Sequence, residues 1–466
     1  MFRRCSSVQD VCELSDPNQM PSNRPGKYMF PVIPGRLSLG IYPDTRTMET
    51  ACINMPHLVF FTSREESCYK PYNSDFGPCD LATTASFCIR TRNLLSEEGF
   101  KDREFVHATT KDEAANTNAA FLLGAYLVLV EGWSPEEASA PFDCIQPSPF
   151  KPFRDATHLA SDFDLSILDC LRGLSLAHSR AWFSLEGFDF ERFASQDDSG
   201  MSRVCPKFFA CAGPSSSTQR PAHKPPAPED IIPTLLQAGV GAVVRLNEAS
   251  AYHREVFTDA GIAHRDLFFP DCSLPSVEVT SQFMDTCEQH EVVAVHCLAG
   301  LGRTGTLIAL WIMSTYGWRA KETIGWLRIA RPGSVIGQQQ HFLVNVERAM
   351  RPEPPSPSSS SSKTSSKRSP KPSTSSWNSS PSPSPSPPSP STSSAERYRA
   401  KLCSEQVTKG VARHRANKNN LPPIPPRRGS EHHADAPPLQ RRQSNCEPRR
   451  RLARVSEGEE LYDRSA

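Results

Sequence analysis

The chain has 466 residues and a net charge of +1, a balance that points to neither nucleic acid nor an anionic membrane surface. Its 15 cysteines, an odd number without repeated CxxC spacing, argue against a disulfide framework or a structural zinc site and for a reducing compartment. The N-terminus lacks the apolar core of a secretory signal, and the longest apolar runs, FLLGAYLVLV and TLIALWIM, are too short for a membrane span. A soluble intracellular protein is expected.

In chain order, residues 1–29 read as a flexible N-terminus and residues 30–180 as a first domain. There EFVHATT predicts a strand ending at His107, and FLLGAYLVLVEGW an apolar helix. Residues 181–200 read as a linker helix. Residues 201–350 then alternate strand and helix. VGAVVRL is a short buried strand, AYHREVFTDAG a helix and AHRDLFF a strand. PSVEVTSQFMDTCEQH is an amphipathic helix and VVAVH a β-branched strand. A helix, GRTGTLIALWIMSTYG, starts right after the next loop and stops at Gly317. AKETIGWLRIAR and IGQQQHFLVNVERAM are two further helices. Such alternation predicts an α/β fold, a mostly parallel sheet flanked by helices. The order His107 to Gly-Trp in the first domain echoes His296 to Gly-Trp in the second, so the chain reads as two copies of one fold, with the longer loop in the first. From Arg351 on, Ser and Pro dominate. Such a segment buries too little apolar surface to offset its ordering entropy, so residues 351–466 are expected to be disordered.

The chemistry concentrates in VVAVHCLAGLGRTGTLIALWIM. A strand, a short turn and a helix N-terminus make an anion cradle of backbone N–H groups, here Leu298, Ala299, Gly300, Leu301, Gly302 and Arg303. Gly300 and Gly302 are expected to take backbone angles that residues with a β-carbon avoid. The planar fork of Arg303 suits two phosphoryl oxygens. Cys297 lies at the base of the cradle, where the donors that bind phosphate also stabilise a thiolate. The pattern suits attack of cysteine on phosphorus through a phosphocysteine intermediate, without metal or cofactor. Thr304 is placed to hydrogen-bond the sulfur as it leaves, and His296 to hold the loop. The expelled oxygen needs a proton. Asp271, in the turn after AHRDLFF, is the favoured acid, and Asp266, within the strand, the alternative.

HCLAGLGRTGTLIA, with DLFFPDCSLPS before it and RPGSVIGQQQHFL after it, resembles the mitotic-exit dual-specificity protein phosphatases of the cysteine-dependent superfamily. DFGPCDLA, NAAFLLGAY, PFRDA and ILDCLRGL extend the resemblance into the first domain, over about residues 30–350. It implies two tandem phosphatase-like domains, of which only the second is catalytic, and the first copy indeed lacks Cys and Arg between His107 and Leu122. It implies that Cys297 is the nucleophile, Arg303 the phosphate clamp and Asp271 the acid, with Gln339 and Gln340 positioning the hydrolytic water. It also implies phosphoserine-proline substrates with a basic residue further on, read by acidic side chains between the domains. Three positions depart from the family: Leu298 for a usual Lys, Cys272 for a usual Gly, and Gln338 for a common Pro.

Glu186, Asp189 and Glu191, in the segment between domains, are the candidates for that acidic groove, and a solvated helix face is the plainer reading. Cys272 is a candidate trap for an oxidised Cys297, with a spectator thiol favoured. In the tail, Pro422, Pro425 and Arg427 form a PxxPxR order suited to a polyproline-binding partner. Ser430, Ser444 and Ser456 follow basic residues as basophilic kinases prefer, and Ser369 is a proline-directed site. The Arg clusters suggest nuclear addressing. The expected protein is a dual-specificity phosphatase of nucleus and cytoplasm, with cytoskeletal association at spindle, centrosome or basal body. Its expected partners are phosphoproteins, not nucleic acid or membrane. The alternative is a catalytically weak phosphoprotein-binding scaffold. A phosphoinositide phosphatase ranks lower, because Leu298 and Leu301 put no cations in the loop.

Overall fold

The computed structural model describes residues 28–63, 69–158, 160–198, 200–215 and 226–351. The expected N-terminal arm, except for residues 28 and 29, and the tail beyond Arg351 with its Pro, Ser and Arg motifs lie outside the described residues.

The first sheet contains β1 (Met29–Ile33), β2 (Leu37–Tyr42), β3 (Leu58–Phe61) and β4 (Glu104–Thr110), in the order β1-β2-β4-β3. The second contains β5 (Met201–Cys205), β6 (Phe208–Cys211), β7 (Ala242–Arg245), β8 (Ala263–Asp266) and β9 (Val293–His296), in the order β5-β6-β9-β7-β8. In each sheet an antiparallel edge hairpin leads into a parallel remainder. The two sheets match strand for strand, except that β8 has no counterpart in the first. This is the duplication expected from the sequence.

Helices α1 (Thr45–Asn54), α2 (Leu81–Ser96), α3 (Glu113–Leu129), α4 (Pro135–Asp143) and α5 (Ile167–Ser179) belong to the first domain. α3 is buried continuously from Asn116 to Val128, as an all-round apolar run requires. A short α6 (Phe190–Asp198) leads into the second domain. There follow α7 (Pro228–Gln237), α8 (Glu255–Thr258), α9 (Val277–Gln289), α10 (Gly302–Tyr316), α11 (Ala320–Ala330) and α12 (Gln338–Met350).

Three expectations change. First, β4 does not end at His107 but runs on to Thr110, and only Lys111 and Asp112 separate it from α3. The loop of the first copy is therefore the shorter one. The Asp112 carboxylate accepts from Ala114 N and Ala115 N at 3.0 and 3.3 Å, closing the helix N-terminus from within. Second, the linker is helical only over Phe190–Asp198. Before it, Ala181 takes φ +54°, and Trp182 and Phe183 turn aside to stack on Trp318 and Trp326, with ring centroids 4.9 and 5.7 Å apart. Third, AYHREVFTDAG keeps four residues of α-helix, because the Tyr252 carbonyl accepts from Arg245 Nη1 at 2.6 Å instead of from a helical N–H.

One hydrophobic core runs through both domains, from Val32 to Val346. Its seam is α5 against α11. The backbones touch there: a β-carbon on Gly173 would stand 2.3 Å from the Glu322 carbonyl oxygen. Close approach thus excludes any other residue at Gly173. Trp326 fills the space beside it and donates Nε1–H to the Val204 carbonyl at 2.8 Å. Polar contacts cross the seam as well, from Lys321 Nζ to the Asp164 carbonyl at 2.8 Å and between His341 Nε2 and Asp162 Oδ1 at 2.9 Å. Among the described residues no helix is long and apolar enough to cross a membrane.

Candidate active site

Parallel strands direct their C-terminal ends, and the loops that follow, to one edge of the sheet. Register brings Asp266, Arg245 and His296 level at that edge of the second sheet. The residues just beyond β8 and β9 therefore meet above it. Cys297 follows β9 directly and is buried, only 3% exposed.

The loop is held in shape from behind. Arg331 donates from Nε to the Gly300 carbonyl at 2.9 Å and from Nη2 to the Ala299 carbonyl at 3.0 Å. Turning those carbonyls outward leaves the intervening N–H groups to face the cradle. Gly300 has φ +69°, and a β-carbon there would lie 1.9 Å from the Cys211 carbonyl oxygen, so glycine is required as expected. Gly302 differs from the expectation. Its φ is not positive, and the constraint is close approach of Gln339, whose Oε1 would be 2.9 Å from an added β-carbon. Helix α10 has no side-chain cap. Its first N–H groups stay available for an anion, in contrast to those of α3.

Arg303 is 1% exposed. Its Nη1 donates to the carbonyls of Leu246 and Phe269 at 3.2 and 3.0 Å, which aims the guanidinium between the ends of β7 and β8. Nε lies 3.1 Å from Asp271 Oδ1, an ion-pair distance without hydrogen-bond alignment. Asp271 is thus beside the clamp, with its side chain 60% exposed. Asp266 is occupied elsewhere, with Oδ1 accepting from Arg245 Nε at 2.6 Å. Cys272 takes φ +55°, the left-handed region that favours glycine, and burial and the Asp271 carboxylate push its thiol up. Thr304 Oγ1 is buried without a hydrogen-bond partner among the described residues, so the expected bond to sulfur is not formed here.

The two glutamines separate. Gln339 lies against Gly302, and its Nε2 donates to the Ser273 carbonyl at 3.2 Å, linking cradle and acid loop. Gln340 Oε1 instead accepts from the buried Arg328 Nη2 at 2.6 Å. The acidic trio lies around the start of α6 and makes local contacts. Asp189 Oδ1 caps α6 by accepting from Arg192 N at 2.8 Å, and Glu186 lies 3.6 Å from Arg92.

Several contributors have no role assigned to them by the sequence. The first domain supplies Asp155, whose Oδ2 accepts from Gly337 N at 2.6 Å and steadies the turn that carries Gln339. It also supplies Tyr72, whose phenol is pushed up by burial and by the charges of Cys297 and Asp271. Beneath the loop, Tyr252 Oη lies 2.6 Å from His296 Nε2 and 2.8 Å from His264 Nε2. His296 Nδ1 meets the Cys297 carbonyl at 3.3 Å and must donate there. Tyr252 O–H therefore donates to His296 Nε2 and accepts from His264 Nε2–H. His296 holds the loop, as expected.

Burial pushes His107 and His296 down to about 3 and His264 to about 4. The unfolded chain binds these protons below about pH 6.5, while the folded protein resists them. Their stabilisation is therefore complete above that pH and is lost progressively as pH falls from there to the folded values. Each fully buried ring is expected to cost on the order of 1 kcal/mol per pH unit below neutrality. Urea midpoints should fall between about pH 7 and about pH 5, and an unchanged midpoint would show that the rings titrate freely.

Residues 31–177 match the family model described as dual specificity protein phosphatase, N-terminal half. Residues 218–316 match the one described as polymorphic toxin system, DSP-PTPase phosphatase. The chain is 40% identical over 293 residues to the dual specificity protein phosphatase CDC14A of Homo sapiens, covering 61% of this chain and 49% of that protein. To the tyrosine-protein phosphatase CDC14 homolog of Schizosaccharomyces pombe it is 34% identical over 301 residues, covering 62% of this chain and 56% of the relative. The chain thus spans about half the length of the curated relatives it matches.

Proposed function

Starting from two domains homologous to those of the CDC14 dual-specificity phosphatases, we propose that the chain is a cysteine-dependent protein phosphatase. The observation that carries the reading is the contrast between two equivalent helix N-termini. In the first domain Asp112 fills it, whereas in the second it stays uncapped beside Cys297, with Arg331 turning the loop carbonyls away. Only the second is built to hold a phosphoryl group.

Cys297 Sγ attacks phosphorus, the phosphorus–oxygen bond to the substrate breaks, and phosphocysteine forms. Asp271 gives the leaving oxygen its proton. The Nε edge of Arg303 facing Asp271 is also the edge a phosphoryl oxygen would take, so substrate displaces the carboxylate toward the leaving group. Gln339 then positions water for hydrolysis, while Gln340 acts through Arg328. Thr304 supplies a hydroxyl to the departing sulfur. We assign phosphoserine-proline and phosphothreonine sites, together with phosphotyrosine, as substrates, and a setting in cell-cycle or cytoskeletal regulation. The boundaries 30–180, 181–200 and 201–350 go with this reading, the first domain as support for the second.

A phosphopeptide panel tests it. Full-length protein is expected to release phosphate from phosphoserine-proline, phosphothreonine-proline and phosphotyrosine peptides, fastest from the first. Binding without turnover would instead make the chain a phosphoprotein-binding scaffold.

A further inference from the structure

Seven large apolar side chains are exposed among the described residues, and four of them belong to segments next to Cys297 or to the loop that carries Asp271. They are Leu298 at 65%, Tyr72 at 56%, Phe268 at 50% and Val277 at 41% exposure. Scattered exposed hydrophobes need no explanation, but a group around one opening marks a contact surface.

Each is held at the rim by its neighbours. Gly213 N donates to the Leu298 carbonyl at 2.9 Å, anchoring the main chain inward while the side chain stays in solvent. Phe268 precedes Phe269, whose ring is buried and whose carbonyl accepts from Arg303. Val277 opens α9, directly after the loop that carries Asp271. Asp266 and His296 are level through their shared partner Arg245, and Phe268 and Leu298 each lie two residues beyond them. With strands spaced ~4.8 Å apart, two strand intervals separate Phe268 and Leu298 by about 10 Å. Tyr72 comes from the first domain.

We propose that Leu298, Phe268 and Val277 form an apolar ledge that reads an aliphatic or aromatic side chain of the phosphopeptide substrate. The assignment rests on the phosphatase reading above. The ledge carries no charge of its own. Its selectivity therefore persists at high salt, unlike that of an acidic groove.

The test uses full-length protein and paired phosphopeptides that share one Ser-Pro core. Leu, Ser or Glu is placed in turn at each position within three residues of the phosphoserine, proline excepted. The readout is the ratio of kcat/KM between pair members, in which general damage to the enzyme cancels. Leu is expected to exceed Ser by on the order of tenfold at one position, at low and high salt alike. Combining Phe268→Ser with Leu298→Lys is expected to bring that ratio near one and to favour Glu over Ser. A wild-type ratio near one at every position would overturn the ledge and leave the phosphatase standing, as would a ratio that survives the double change. Failure to turn over any phosphopeptide would remove the phosphatase reading and the ledge with it.

Discussion

Replacing Cys297 by serine is expected to abolish turnover of every phosphorylated substrate, by on the order of a million-fold in kcat. The change removes one sulfur atom's nucleophilicity and little else. The outward carbonyls remain on Arg331, Arg303 remains on Leu246 and Phe269, and α10 remains uncapped. Phosphopeptide binding should therefore persist, and thermal unfolding should shift little, because the hydroxyl is smaller than the thiol it replaces. Single-turnover release of phosphate and a binding titration on the same preparation check both halves. Residual turnover within tenfold of wild type would place the nucleophile elsewhere. Cys211 is a poor substitute, because it is buried and its thiol is pushed up to about 12.

Asp271→Ala is expected to have the next largest effect, and an uneven one. General acid catalysis contributes about a hundred- to ten-thousand-fold when the leaving group is a poor one. Serine alkoxide is such a group, whereas an aryl oxide with electron-withdrawing substituents leaves without help. The loss on phosphoserine peptide should exceed the loss on aryl phosphate by at least tenfold. Equal losses would reassign the acid. Asp266 is not the ready replacement that its position in the sequence suggests, because it is committed to Arg245 at 2.6 Å and approaches Arg254 at 3.7 Å. Asp266→Ala would leave Arg245, 2% exposed, without its carboxylate, so it is expected to lower the melting temperature and to reduce turnover of both substrates alike.

The second domain was legible because its signals are local. β-branched runs mark β7 and β9, and Ser276 caps α9 by accepting from Val279 N at 3.2 Å. The duplication was legible for the same reason, through two apolar helices that each end near a Gly-Trp pair. Misreadings arose where a distant partner overrode local preference. Arg245 drew the Tyr252 carbonyl out of a helix, and Trp318 and Trp326 drew Trp182 and Phe183 out of another. The Gln339–Gln340 pair looked equivalent in sequence and is not, because consecutive residues on a helix point about 100° apart. One therefore faces Gly302 and the other Arg328.

By itself the sequence determined the alternation of strands and helices from β7 to α12, the strand–loop–helix around Cys297, and the absence of a matching Cys and Arg in the first copy. Each of these is a pattern within a few residues, set by side-chain periodicity and backbone propensity. The tertiary structure decided what holds that loop in working shape. Arg331 comes from the end of α11, Tyr252 from beyond β7, and Asp155 from the other domain, 182 positions before the Gly337 amide it receives. Such contacts follow from how α5 meets α11 and how the strands line up. They leave no trace in local spacing, because the free energy that fixes them comes from burying both domains against one another in a single core.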